Sequence, residues 1–241
     1  MTWRESKTLL CSYLNISYED IRAGTNDLFK WDDLESWMNL AIHRAWDYYD
    51  WAFTEKTYTT TTVAWASSTD IDYYDYPNDF VSDSIKLMTV TNSDGYKKYY
   101  EPINFEDYRK FRAKDETNTN EEKLWSSHGR YYFINPHAYD DASGRTIEII
   151  GKMRCDNLTD STALLPFSPD TDNEENSGNE AVVKLAYAIA LSTDKMKRKN
   201  DAIAEEKEAY AMLDFLAGKE KQLQAKYRHK NRPQWEVPRM F

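Results

Sequence analysis

The chain has 241 residues, 41% of them hydrophobic and 30% charged, with a formal net charge of −10. That length suits one large domain or two small ones, and the acidic balance argues against a free nucleic-acid binder, because gripping phosphate needs concentrated Lys and Arg. No apolar run is long enough to span a bilayer, and Met1-Thr2-Trp3-Arg4-Glu5 holds no apolar signal core. The expected setting is therefore the cytosol, or export only within a larger assembly.

Thr2-Trp3-Arg4-Glu5 has capping-box spacing and predicts a short helix to about Asn15, with Leu9, Leu10 and Tyr13 on one side. Ser17 to Ala23 adds one or two turns, closed by Gly24. Leu34, Trp37, Met38, Ala41, Ile42, Ala45, Trp46 and Tyr49 recur at helical spacing and predict an amphipathic helix from Trp31 to Tyr49. Its first turn carries Asp32 and Asp33, where the helix dipole favours negative charge. The stripe is wide, so this helix is expected to pack against two neighbours.

The period then changes. Phe53 to Val63 is Thr-rich and polar on both faces, which suits an edge strand or exposed ribbon. Tyr76-Pro77-Asn78-Asp79-Phe80 reads as a turn, since Pro77 forces an extended residue before it. Ile85 to Thr91 and Tyr96 to Ile103 flank Asp94-Gly95 as a hairpin. Phe105 to Ala113 reads as a short helix capped by Asn104, and Ser126-Ser127-His128 as a loop. Arg130 to Asn135 and Arg145 to Gly151 read as two further strands, joined through Pro136 and Gly144. Thr171 to Gly178 is acidic and loop-like.

Helical periodicity returns at Asn179, with Val182, Leu185, Ala186, Ile189 and Ala190 as one stripe. Asp194 to Asn200 is a polar turn. A second helix follows through Ala202, Ile203, Ala209, Leu213 and Leu216 and continues past Gly218, giving an antiparallel pair. The fold class expected is α+β. Helices at 1–50 and 178–230 form one discontinuous helical domain. Residues 51–177 form an inserted antiparallel β domain, and 231–241 an extended tail.

The sequence holds little that points to chemistry. Cys11 and Cys155 lie far apart in no metal or redox spacing, so a reducing compartment is the better reading. His43, His128, His137 and His229 make no His-x-x-x-His pair. Asp70-x-Asp72-x-x-Asp75 and Asp170-x-Asp172-x-Glu174 lack the Gly and terminal Glu of a calcium loop and read as solvated acidic loops. With 7 Gly in all, phosphate-cradling loops are not expected. No enzyme activity, metal or cofactor is expected.

Two features invite binding instead. Aromatic content is 15%, with 18 Tyr and 8 Trp against 9 Phe. These amphipathic rings either pack a β domain poor in aliphatics or face a partner or a sugar. The chain also ends in a basic stretch, Lys219 to Arg232, followed by a Pro-containing aromatic segment. The basic stretch is either a solvated helix end or a docking segment. Trp235, Val237, Met240 and Phe241 favour docking, since they have no core of their own to join.

The order of these segments resembles the head-to-tail adaptor proteins of tailed bacteriophages, the family that includes connector, head-completion and tail-tubular-A-like proteins. The Trp31–Tyr49 helix leads into Trp51-Ala52-Phe53 and a Thr-rich strand. Tyr76-Pro77-Asn78-Asp79-Phe80 resembles the family's Tyr-x-Leu-Pro-x-Asp-Phe step, with Asp75-Tyr76 in place of the usual apolar residue. Arg130-Tyr131-Tyr132-Phe133-Ile134 resembles its Tyr-x-Ile strand. A Pro-containing loop, Leu164-Leu165-Pro166, and the Ala-rich helix from Ala181 to Ala188 complete the order. The likeness spans roughly residues 30 to 215.

The resemblance implies a structural virion protein at the head-tail junction, assembled in the host cytoplasm. It implies a homo-oligomeric ring, usually twelve-fold, that docks under the portal protein and extends the DNA channel. The far face would meet a tail, neck or nozzle protein. Double-stranded DNA would pass through the lumen without specific binding, and no membrane is involved. Portal docking would fall to Lys226, Arg228, Lys230, Arg232, Trp235, Val237, Met240 and Phe241. Twelve copies would carry roughly −120, a field that lets phosphate slide instead of sticking. The alternative is a non-catalytic, aromatic-rich module that binds carbohydrate or protein.

Overall fold

The computed structural model describes residues 1–61, 73–91, 95–114, 122–135, 145–167 and 177–230, with side chains for all of these but 114, 177 and 223–230. The chain divides into two compact units, Met1–Phe53 with Cys155–Phe241, and Thr54–Arg154. The fold is α+β, with helices in the first unit and a curled mixed sheet with one helix in the second.

In the helical unit, α1 (Trp3–Tyr13) opens with the expected capping box: the Glu5 carboxylate accepts from the Thr2 N–H at 2.7 Å, and Thr2 Oγ1 accepts from the Glu5 N–H at 3.2 Å. The buried stripe is Trp3, Lys7, Leu10, Cys11 and Leu14; Leu9, expected inward, is only half-buried. Next come α2 (Tyr18–Arg22), capped by Ser17 and stopped by left-handed Gly24, and α3 (Trp31–Tyr48). The apolar face of α3 is the one its periodicity gives, from Leu34 to Trp46. Helix α5 (Ser177–Ser192) begins two residues earlier than its periodicity indicates. It is buried on nearly every side because α1, α3 and α6 (Lys199–Lys230) all pack against it. Helix α6 runs past Gly218 as expected.

The inserted unit begins near the expected point, and β1 (Glu55–Thr61) is indeed an edge strand. Strands β2 (Tyr73–Asp75), β3 (Phe80–Thr91), β4 (Lys97–Pro102), β5 (Leu124–His128), β6 (Tyr131–Ile134) and β7 (Thr146–Met153) complete one sheet in the order β1-β7-β3-β4-β5-β6-β2. β3 and β4 are the two arms of the hairpin read around Gly95. The sheet is mixed, not wholly antiparallel. β4 and β5 pair in parallel (Glu101↔Leu124, Pro102↔Trp125), because α4 (Phe105–Lys114) carries the chain back across and reverses its direction twice. Asn104 caps α4 as expected, its Oδ1 accepting from the Asp107 N–H at 2.8 Å. Ser126-Ser127-His128, read as a loop, is strand β5. The core between the curled faces mixes aromatics (Tyr76, Phe80, Tyr100, Trp125 and Tyr132) with aliphatics and a methionine (Ile85, Met88, Val90, Ile134, Ile147 and Ile149). Packing thus accounts for some of the amphipathic rings.

The insert ends at Arg154, well before the expected 177. Residues 155–167 belong with the helices for a backbone reason. The first turn of a helix leaves N–H groups without partners, and here Ala163 O accepts from the Trp3 N–H at 2.7 Å and Ser161 O from the Arg4 N–H at 3.2 Å. Asn39 on α3 pairs with the Leu158 backbone in both directions, at 2.8 and 3.3 Å. Phe167 then closes an aromatic cluster with Trp46, Trp51 and Phe53. Trp51 and Phe53 accordingly sit in the helical unit as well.

Candidate functional site

Two places deserve comparison: the end of α6, where the sequence puts docking residues, and a cleft in the inserted unit. α6 is clamped along its first two-thirds. Lys184 on α5 reaches Glu208 at 2.8 Å and Glu205 at 3.7 Å. Burial alone would lower the Lys184 pKa, but the two carboxylates outweigh it and raise it. Arg44 meets Glu206 at 3.2 Å, the Tyr48 hydroxyl donates to Asp214 at 2.7 Å, and Glu220 accepts from the Ala52 N–H at 2.5 Å. The Asp214 hydrogen bond raises the Tyr48 pKa, since it favours the protonated phenol. α3 and α6 therefore run side by side in the same direction. Lys226, Arg228 and Lys230 lie on the last turns of α6, but their side chains are outside the described residues. Arg232, Trp235, Val237, Met240 and Phe241 lie outside the described residues altogether, as does the extended tail expected there.

The cleft lies in the inserted unit. Tyr58 on β1 and Tyr131 on β6 both line it, so strands from opposite ends of the sheet face each other across an opening. Its volume is about 670 Å3, and Asp75, Tyr76, Pro77, Asn78, Asp79 and Arg130 complete the described lining. The segment between β2 and β3 is held at several points. The Tyr76 N–H donates to Arg130 O at 2.9 Å, and the Phe80 N–H to Pro77 O at 3.0 Å. The Arg154 N–H donates to Asp79 O at 2.7 Å, and its guanidinium Nε to Phe80 O at 2.9 Å. Lys56 bonds the Asp79 carboxylate at 2.5 Å and holds its pKa below the ordinary range. Asp75, Asn78 and Arg130 are exposed, and among the described residues no hydrogen bond or ion pair engages their side chains. Both parts, the Tyr76–Phe80 turn and the Arg130–Ile134 strand, are legible in the sequence, but nothing along the chain brings them together. Only the curl of the sheet does that.

Among the described residues, no group of three or more His, Cys, Asp or Glu is arranged to hold a metal. His43 pairs with Asn157 Oδ1 at 2.9 Å, and His128 stacks on Phe105 with ring centroids 4.4 Å apart. His137, Asp70, Asp72 and the Asp170–Glu174 stretch lie outside the described residues, as does the His229 side chain. Cys11 is buried and free, and burial pushes its thiol up to about 11. Cys155 is in no disulfide either. No described helix is long and apolar enough to cross a membrane. Compared with protein-family models and with curated proteins, the chain matches none.

Proposed function

We propose that the protein is a head-to-tail adaptor of a tailed bacteriophage, a structural ring subunit that docks under the portal, extends the DNA channel and presents a surface to the tail or next neck protein. The supporting observation is the chain's construction. A helical unit made from both ends of the sequence carries an inserted β unit, and its last helix is clamped by α3 and α5 while its basic end leads into the aromatic tail. A rigid helix that delivers a short anchor-bearing segment lowers the ordering cost of docking. The acidic balance fits a lumen through which phosphate slides. Head-to-tail contacts that close by rotation would make the ring.

The test is reconstitution. Full-length protein mixed with portal rings and imaged by electron microscopy should add a collar of density beneath the portal. Deleting residues 233–241 should abolish the collar while leaving the helical content unchanged. A collar that forms equally well without the tail would refute the docking assignment, and no collar with the intact chain would refute the adaptor reading.

A further inference from the structure

We infer that the cleft between β1 and the β6–β2 end of the sheet is a binding site for a short, neutral oligosaccharide. Among the described residues β1 and β2, the two ends of the curled sheet, do not pair with each other, and such openings are natural ligand clefts. Its 670 Å3 falls inside the ~300–1,000 Å3 span of small-molecule sites.

The lining narrows the ligand class. Tyr58 and Tyr131 bring aromatic rings to the cleft, and Tyr131 is 44% exposed. Aromatic faces take the C–H face of a pyranose, and their hydroxyl tips take its oxygens. The cleft is also lined by a carboxylate (Asp75), an amide (Asn78) and a guanidinium (Arg130) that have no partner among the described residues. Together these three supply acceptors, donors and both at once, which is what a ring of hydroxyls needs. Other classes fit less well. A phosphate or sulfate would meet Asp75 and Asp79 beside Arg130, the single unpaired guanidinium among the described lining residues. A bare cation would meet Arg130 and too few carboxylates. An apolar ligand would strand the polar groups without partners. The pinned 75–80 segment means little is ordered on binding, which keeps the cost of association low. This inference is independent of the adaptor reading, and either can fail alone.

The experiment is a titration of the isotope-labelled full chain with maltotriose, cellotriose and triacetylchitotriose, followed by amide shifts. At least one should give saturable shifts centred on residues 75–79 and 130–131 below about 10 mM, the range of weak but specific affinity. Tyr131→Ala should weaken that binding about tenfold, as should Asp75→Ala, with unchanged dispersion elsewhere in the spectrum. Arg130→Gln, which keeps a donor, should weaken it less. Absence of saturable shifts with all three sugars would overturn the inference. So would binding that survives Tyr131→Ala and Asp75→Ala undiminished, or preference for inorganic sulfate over every neutral sugar.

Discussion

Lys7 offers the sharpest physical test. Its side chain is 1% exposed, and its amino group lies between the Trp31 ring, 3.8 Å away, and the Trp3 ring at 5.0 Å. Glu35 answers it at 3.0 Å, and the same oxygen accepts from Trp31 Nε1 at 2.9 Å. Glu35 itself is 29% exposed. Deleting either partner removes one ion pair, but the consequences differ. Lys7→Met keeps the hydrocarbon stem in place, and Glu35 retains its indole donor and its access to water. The loss is the cation–π and pair energy, about 1 kcal/mol. Glu35→Ala instead leaves an ammonium under two indoles with no counter-charge, costing about 3 kcal/mol, near the lower end for a broken buried pair because the emptied space admits water. The double variant should therefore be more stable than Glu35→Ala alone, by about 1–2 kcal/mol. Urea unfolding curves, with hydrogen exchange read on the α1 and α3 amides, give all three values. Equal costs for the two single variants, or a double variant that is the least stable of the set, would show that charge burial does not govern this corner of the fold.

Two further outcomes follow from packing and burial. A Cβ on Gly151 would stand 2.8 Å from two ring carbons of fully buried Phe80 and 3.3 Å from Ser84 O, so Gly151→Ala should cost about 1–3 kcal/mol and loosen exchange protection in β3 and β7. Phe80→Leu should recover part of that loss in the double variant. Cys11, with its thiol pushed up to about 11, holds only about a thousandth of its population as thiolate at pH 8. Iodoacetamide should therefore spare it in the native protein and label it in urea; reactivity rises only as pH climbs toward that value, and rapid native labelling at pH 8 would contradict its burial.

What the sequence could show depended on whether the signal was local. The capping box at Thr2 and Glu5, the α3 stripe, the Gly95 hairpin and the Asn104 cap each need only neighbours along the chain, and each is present. The inward turn of Lys7 was hidden because its partners come from α3, so a charged residue occupied a core position that the pattern would give to an apolar one. The parallel β4–β5 pair and the boundary at Arg154 were hidden for a similar reason. One follows from where α4 returns the chain, the other from carbonyls of 161–163 meeting the start of α1. The cleft needed still more, since its walls come from strands far apart in the sheet order and meet only through curvature. The docking tail remains a reading of composition, its residues lying outside those described.

The pairing of β1 with β7 bears on how the protein is made. Glu55 lies opposite Lys152, so the insert departs and returns at adjoining positions of one ladder. Once that ladder zips, the stretch linking α3 to the helices that cover it behaves as a short tether, because the entropy of closing so large a loop has already been absorbed by the sheet. During synthesis the Leu34, Trp37 and Met38 face must wait for α5 to emerge, and the early-completed insert shortens the search that follows.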